Sequence, residues 1–184
     1  MKIENIFDEI EGKRQKVSRE ILTKFRDEWN LPLSETELTN LKKSDIKPSY
    51  WDDKAYGEWK PKDFEKWNFP QSDFPIKFYE LIENYAGCSF LKGEREFSVF
   101  GPQELREMNI AYEFPEYIKD AVSFGLDGSG NHIVFDMRSE NNHSEFKVYG
   151  VHSGYLDWEG AKLIANNFQE FINGTENIDE LMNG

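Results

Sequence analysis

The sequence predicts an α+β domain: a central, mostly antiparallel sheet flanked by helices, with a helical extension at its amino-terminal end. Three observations predict it. Apolar residues recur at helical spacing in residues 1–29 and again in 74–85. From Glu96 the period changes to two, and alternating runs flank a stretch rich in turn-forming residues, Asp127-Gly128-Ser129-Gly130-Asn131. The 184 residues are 38% hydrophobic and 15% aromatic, enough to bury one core without disulfide or metal support.

Taken in order, Ile3, Ile6, Phe7 and Ile10, then Ile21, Leu22, Phe25 and Trp29, predict one or two amphipathic helices divided at Gly12. Leu31-Pro32 ends them, because the residue before a proline is pushed out of the helical region. Ser34 and Glu37 form a capping-box pattern ahead of Leu38 and Leu41. From Ser44 to Gln71 there is no period. Trp51, Trp59 and Trp67 stand among carboxylates there, and Pro48, Pro61 and Pro70 predict loops and short helical turns laid over a body formed by the rest.

Ser72 or Asp73 is the expected cap of a helix with Pro75 in its first turn; Phe74, Phe78, Leu81, Ile82 and Tyr85 line its apolar face, and Gly87 stops it. Phe97 and Val99 predict a strand ended by Gly101-Pro102, and Gln103 to Met108 a short helix. Val122, Phe124 and Leu126, then His132 to Met137 and Phe146 to Val151, predict an antiparallel meander. Asp157 is the expected cap of a helix carrying Ala161, Ile164, Ala165, Phe168, Phe171 and Ile172, closed by Asn173-Gly174. Thr175 to Gly184 reads as a loose acidic tail. The organisation expected is therefore an aromatic-rich extension over 1–68 packed on the core, a main domain over 69–174, and a tail over 175–184.

With 22 Lys and Arg against 35 Asp and Glu, the net charge is 22 − 35 = −13. Such a chain lacks the concentrated cations that bind nucleic acid directly. No apolar run approaches a membrane span, and the acidic start, Met1 to Glu11, is unlike a secretory signal, so a cytoplasmic protein is expected. The lone Cys88 leaves no disulfide framework, and the sequons at Asn142 and Asn173 carry no weight in that compartment.

Motifs for chemistry are weak. Gly125 and Gly130 have P-loop spacing, but Asn131 and His132 stand where Lys and a hydroxyl must reach phosphate and magnesium. Asp127, Ser129 and Asn131 match the first calcium-loop ligands, yet His132 replaces the turn glycine and Arg138 the bidentate Glu. His132, His143 and His152 do not cluster, although two of them on paired strands could meet; Ser144 and Ser153 adjoin histidines along strands, which sends the side chains to opposite faces. Cys88 beside Gly87 reads as a small buried hydrophobe. No two carboxylates are singled out as a glycosidase-type pair. No catalytic residue, cofactor or metal is expected.

Phe74-Pro75 followed by Phe78, Tyr79, Ile82 and Tyr85-Ala86-Gly87, then Phe124 to Asn131 with the strand His132 to Asp136, then Ala165 to Ile172, occur in the order and spacing of a known group. Over about the last 105 residues the chain resembles the SUKH superfamily, which takes in Smi/Knr-type cell-wall regulators and bacterial immunity proteins. Ala86 replaces the first glycine of the usual pair, Asn167 stands where Ser is common, and residues 1 to 68 have no counterpart. The resemblance implies an α+β domain without catalytic residues that works by binding: neutralising a cognate polymorphic toxin, often a nuclease, or regulating through protein contacts.

On that basis the expected function is non-enzymatic neutralisation of a toxin domain of basic character. The alternative is a regulatory or scaffold module, and a monomer is favoured. The aromatic, acidic segment supplies the first candidate patch, Trp51, Asp52, Asp53, Glu58 and Trp59, with one or two of Trp51, Trp59 and Trp67 exposed. Glu94, Glu96, Asp127 and Trp158 form a second, on turns at the ends of the sheet. A small hydrolase with an unrecognised carboxylate pair is the rival of another class.

Overall fold

Seven short strands pair into one antiparallel sheet whose spatial order follows the sequence: β1 (Glu9–Glu11), β2 (Ser89–Lys92), β3 (Arg95–Val99), β4 (Ala121–Leu126), β5 (Asn131–Asp136), β6 (Val148–His152) and β7 (Lys162–Ala165). In this computed structural model, which describes residues 5–12, 16–138 and 145–184, the fold is α+β, as the period change at Glu96 predicts. The chain divides into two compact units, Met1–Asn30 with Pro70–Gly184, and Leu31–Phe69. The first thirty residues thus belong with the sheet, to which they contribute β1.

Register sorts the side chains of the larger unit onto two faces, since successive residues of a strand point opposite ways. One face carries Ile10, Phe90 and Phe97 in one cross-strand row, Val99, Gly125, Ile133 and Gly150 in another, and Val122, Phe135, Val148 and Ala165 in a third. A β-bulge between Ser123 and Gly125 adds Phe124 to this face, its ring stacked 4.3 Å from Phe135. Over it lie α4 (Ile76–Tyr85) and α7 (Phe168–Asn173): Phe78 meets Phe124, Phe135 and Phe168 edge-on at 5.5–5.6 Å, and Phe171 meets Phe97 at 4.8 Å. Offset and edge-to-face pairs add to the area these rings bury.

The opposite face carries Ala121, Ser123, Val134, Tyr149, His132 and Val151 under α5 (Glu104–Ala111) and α6 (Phe114–Tyr117), with Phe114, Ile118 and Trp158 packed against it. Helix α1 (Arg19–Glu28) starts at Ser18, whose Oγ accepts from the Ile21 N–H, and reaches the core by stacking Phe25 on Phe74 at 5.7 Å.

Several expectations are corrected. Ile6, Phe7 and Ile10 lead into a strand instead of a helix, because Ile10 can sit beside Phe90 while Phe7 packs on the Phe90 and Phe97 rings at 4.6 and 5.9 Å; Ile3 lies outside the described residues. The helix expected to run on from Asp157 does not form as one piece. Lys162–Ala165 pairs with β6, and Asn167 caps the separate, shorter α7 by accepting from the Glu170 N–H at 2.8 Å. The apolar spacing of 161–172 fits a strand followed by a helix as well as it fits one helix. The tail is ordered as α8 (Ile178–Asn183), anchored by Ile178, 2% exposed, and begun by Asn177. Pro75, not Ser72 or Asp73, is the cap position of α4; Asp73 instead accepts from the Arg26 guanidinium and the Tyr79 hydroxyl. Burial, then the bond to Asp73, raises the Tyr79 pKa.

The smaller unit holds α2 (Glu35–Ser44), α3 (Asp53–Tyr56) and a 3-10 turn at Phe64–Lys66. The capping box forms: the Ser34 N–H donates to Glu37 at 2.7 Å and the Glu37 N–H to Ser34 Oγ at 3.2 Å. Phe64 and Trp67 are buried, their rings edge-on at 4.8 Å.

Candidate interaction surface

The two expected patches fare differently. In the smaller unit the single turn α3 organises the first. Asp52 caps it, accepting from the Lys54 N–H at 2.9 Å. Asp53 accepts from Lys47 Nζ at 2.6 Å and from the Trp59 N–H at 3.2 Å, and the Lys47 bond, then the Trp59 bond, lower its pKa. The Trp51 indole N–H donates to the Gly57 carbonyl at 3.0 Å, and its ring lies 5.4 Å from Tyr56. Trp51 and Trp59 are half-buried and Trp67 is buried, so none of the three is as exposed as expected; the exposed aromatics are Tyr50, at 77%, and Tyr56, at 64%. Of the three carboxylates of this patch, Glu58 is exposed and makes no hydrogen bond or ion pair among the described residues.

The second patch does not assemble. Asp127 is 8% exposed because it closes the β4–β5 turn, accepting from the N–H groups of Ser129 and Asn131 at 2.8 and 3.0 Å and from Asn131 Nδ2 at 2.6 Å. Trp158 donates its indole N–H to Lys119 O at 2.9 Å, stands edge-on to Tyr149, and carries the Arg138 guanidinium 3.9 Å above its ring. Lys119 precedes β4 and Asp127 follows it, so a strand of about 20 Å lies between the two members. Both use their polar atoms in bonds within the fold.

Glu96, by contrast, lies in a setting that the sequence did not disclose. The row Glu9, Leu91, Glu96 and the row Glu11, Ser89, Ser98, Leu126 place three exposed glutamates around Leu91 on the face of β1–β3 opposite the phenylalanines. A hollow of about 100 Å³ lies among Glu9, Glu11 and Glu96. None of the three is paired with a cation among the described residues. Glu94, also exposed, stands at the adjoining turn, its N–H donating to Thr175 O at 2.8 Å. Glu9 and Glu11 were hidden from sequence reasoning by the helical reading of their segment.

A buried serine–histidine pair lies at the other end of this face. Ser123 Oγ lies 2.8 Å from His132 Nδ1, and His132 sits between the rings of Tyr112 and Phe114 at 4.3 and 5.0 Å. Burial pushes the imidazole pKa down to about 4. Both residues are 0% exposed, so no substrate can reach this serine–histidine pair; it is part of the core. His152 does not join His132, because the register sets His132 opposite Val151 and His152 opposite Asn131, on opposite faces. His143, Ser144 and Asn142 lie outside the described residues. Among the described residues no group of three His, Cys, Asp or Glu is placed to hold a metal, and no helix is long and apolar enough to cross a membrane. In comparisons with known proteins, the chain matches no family model and no curated protein.

Proposed function

We propose that the chain is a non-enzymatic immunity protein that neutralises a basic protein toxin by occupying its active surface. The uncovered acidic face of β1–β3 carries this reading. Like charges gathered on a sheet with no paired cation among the described residues repel one another and cost stability, and edge protection accounts for Glu9 and Glu11 only. Glu96, two strands further in, has no such duty. A basic partner relieves the repulsion and is steered to the face from a distance. The larger unit holds 15 Lys and Arg against 27 Asp and Glu, 15 − 27 = −12, and the smaller 7 − 8 = −1, so the steering field belongs to the sheet-bearing unit. The resemblance to the SUKH superfamily adds the toxin as the kind of partner, and a nuclease, whose substrate groove is basic, as one such toxin.

The test is co-expression with the toxin encoded beside the gene. Growth is expected to resume, with E9Q/E11Q/E96Q slowing association about tenfold at low salt, more than E20Q/E28Q/E107Q, which removes the same charge elsewhere. Continued arrest sinks the immunity reading and favours an ordinary cellular partner, the regulatory alternative.

A further inference from the structure

The smaller unit contains a groove of about 460 Å³ lined by Lys42, Asp45, Lys47, Trp59, Lys62 and apolar Ile46, Pro61 and Phe64, a size in the range of ligand sites. Its walls are fastened by hydrogen bonds: the Lys62 N–H donates to Asp45 Oδ2 at 2.7 Å, and the Trp59 N–H to Asp53 at 3.2 Å. Ile46 is 72% exposed, and the half-buried Trp59 has an indole N–H bonded to none of the described residues. The groove therefore offers an apolar floor, a donor-rich rim and one carboxylate, Asp45, already engaged by its own wall.

We propose that this groove docks a short acidic peptide segment bearing an aromatic or branched apolar side chain. Three points select that occupant. The rim lysines come from three stretches of chain, at residues 42, 47 and 62, so a peptide carrying several carboxylates can engage more than one of them. Every cation of this unit is a lysine, a point charge suited to separate carboxylates rather than to the two-pronged grip by which arginine holds one planar anion. The present partners of Lys42 and Lys47, Glu65 at 2.9 Å and Asp53 at 2.6 Å, form solvent-exposed pairs, which exchange for a ligand carboxylate at little cost. The net charge of the whole chain opposes the ligand only weakly at physiological ionic strength, where charges beyond about 8 Å are screened. The inference does not depend on the toxin reading, which concerns the other unit.

The test is a titration of the full chain, followed by the five indole N–H resonances, with an acetylated, amidated peptide of four acidic residues around a central phenylalanine. The Trp59 indole signal and the Ile46 methyl groups are expected to move. K47Q/K62Q is expected to weaken binding about tenfold, and K42Q on its own to weaken it in the same direction; the indole resonance of Trp67, buried in the same unit, keeps its position in the peptide-free variants if that unit stays folded. The isomer with lysines in place of the acidic residues is expected to leave Trp59 unmoved. An unmoved Trp59 signal with the acidic peptide, equal shifts from the basic one, or full affinity in K47Q/K62Q would overturn the proposal.

Discussion

The two faces of the sheet are built on opposite principles. One is buried over most of its width and paved with Phe90, Phe97, Phe124 and Phe135 beneath Phe78, Phe168 and Phe171. The other, among the described residues, is covered over β4 to β6, where it buries Ser123 and His132, and open over β1 to β3, where it shows Glu9, Glu11 and Glu96. The aromatic face has little freedom to vary without loss of stability. Over β1 to β3 the polar face carries exposed carboxylates that folding alone does not require, and the proposed binding function rests on them.

The largest effect that sharpens this contrast is Phe135→Ala, which leaves a cavity amid Phe78, Phe124 and Phe168 and is expected to cost about 3–5 kcal/mol in urea denaturation. Next comes acid sensitivity from the polar face. The folded pKa of His132 is about 4, below its ordinary 6.5, so the unfolded chain binds the extra proton between those values and stability falls as pH drops through that window. Between about pH 7.5 and 4.5 the loss is about 2.5 kcal/mol. In His132→Leu, unfolding measured against pH is expected to be flatter by that amount; an unchanged slope would break the contrast.

A smaller loss is expected from Asn109→Ala. Asn109 accepts from the Ser123 N–H at 2.9 Å and donates to the Ser123 and Leu105 carbonyls at 2.7 and 2.8 Å, and truncation leaves the Ser123 backbone groups unpaired at a cost of about 1–3 kcal/mol. Smallest of all, E9Q/E11Q/E96Q is expected to change thermal stability by no more than about 0.5 kcal/mol, in the stabilising direction, while slowing association with a basic partner. A large destabilisation there would make these carboxylates part of the scaffold and remove the reason to see a docking face.

Arg95 marks a place where the contrast meets the chain end. It is 2% exposed, donates to the carbonyls of Phe171 and Glu176 at 2.7 and 3.2 Å, and lies 5.3 Å from the Phe171 ring centre; burial lowers its pKa. A Cβ at Gly174 would overlap this guanidinium, so Gly174 is required by close approach. Nothing in the spacing of 171–176 announces that a residue of β3 holds the segment in place.

The sequence by itself determined the α+β class, the helices α1, α2, α4 and α5, and the strands β3 to β6, because each rests on a local signal: a capping serine, a 3.6-residue stripe, an alternation bounded by glycine. It also set apart the aromatic stretch from Ser44 to Gln71, most of which lies in the smaller unit, Leu31–Phe69, although it did not place the boundary at residue 30. Only the tertiary structure decided that Glu9–Glu11 and Lys162–Ala165 are strands, since each borrows its hydrogen bonds from a neighbour distant in sequence or misread as helix. It alone separated Glu96, on open sheet, from Asp127 and Trp158, whose polar atoms are spent on the backbone around them. Composition names the carboxylates and the rings; which of them face water follows from register, and register is fixed by pairing across the whole sheet.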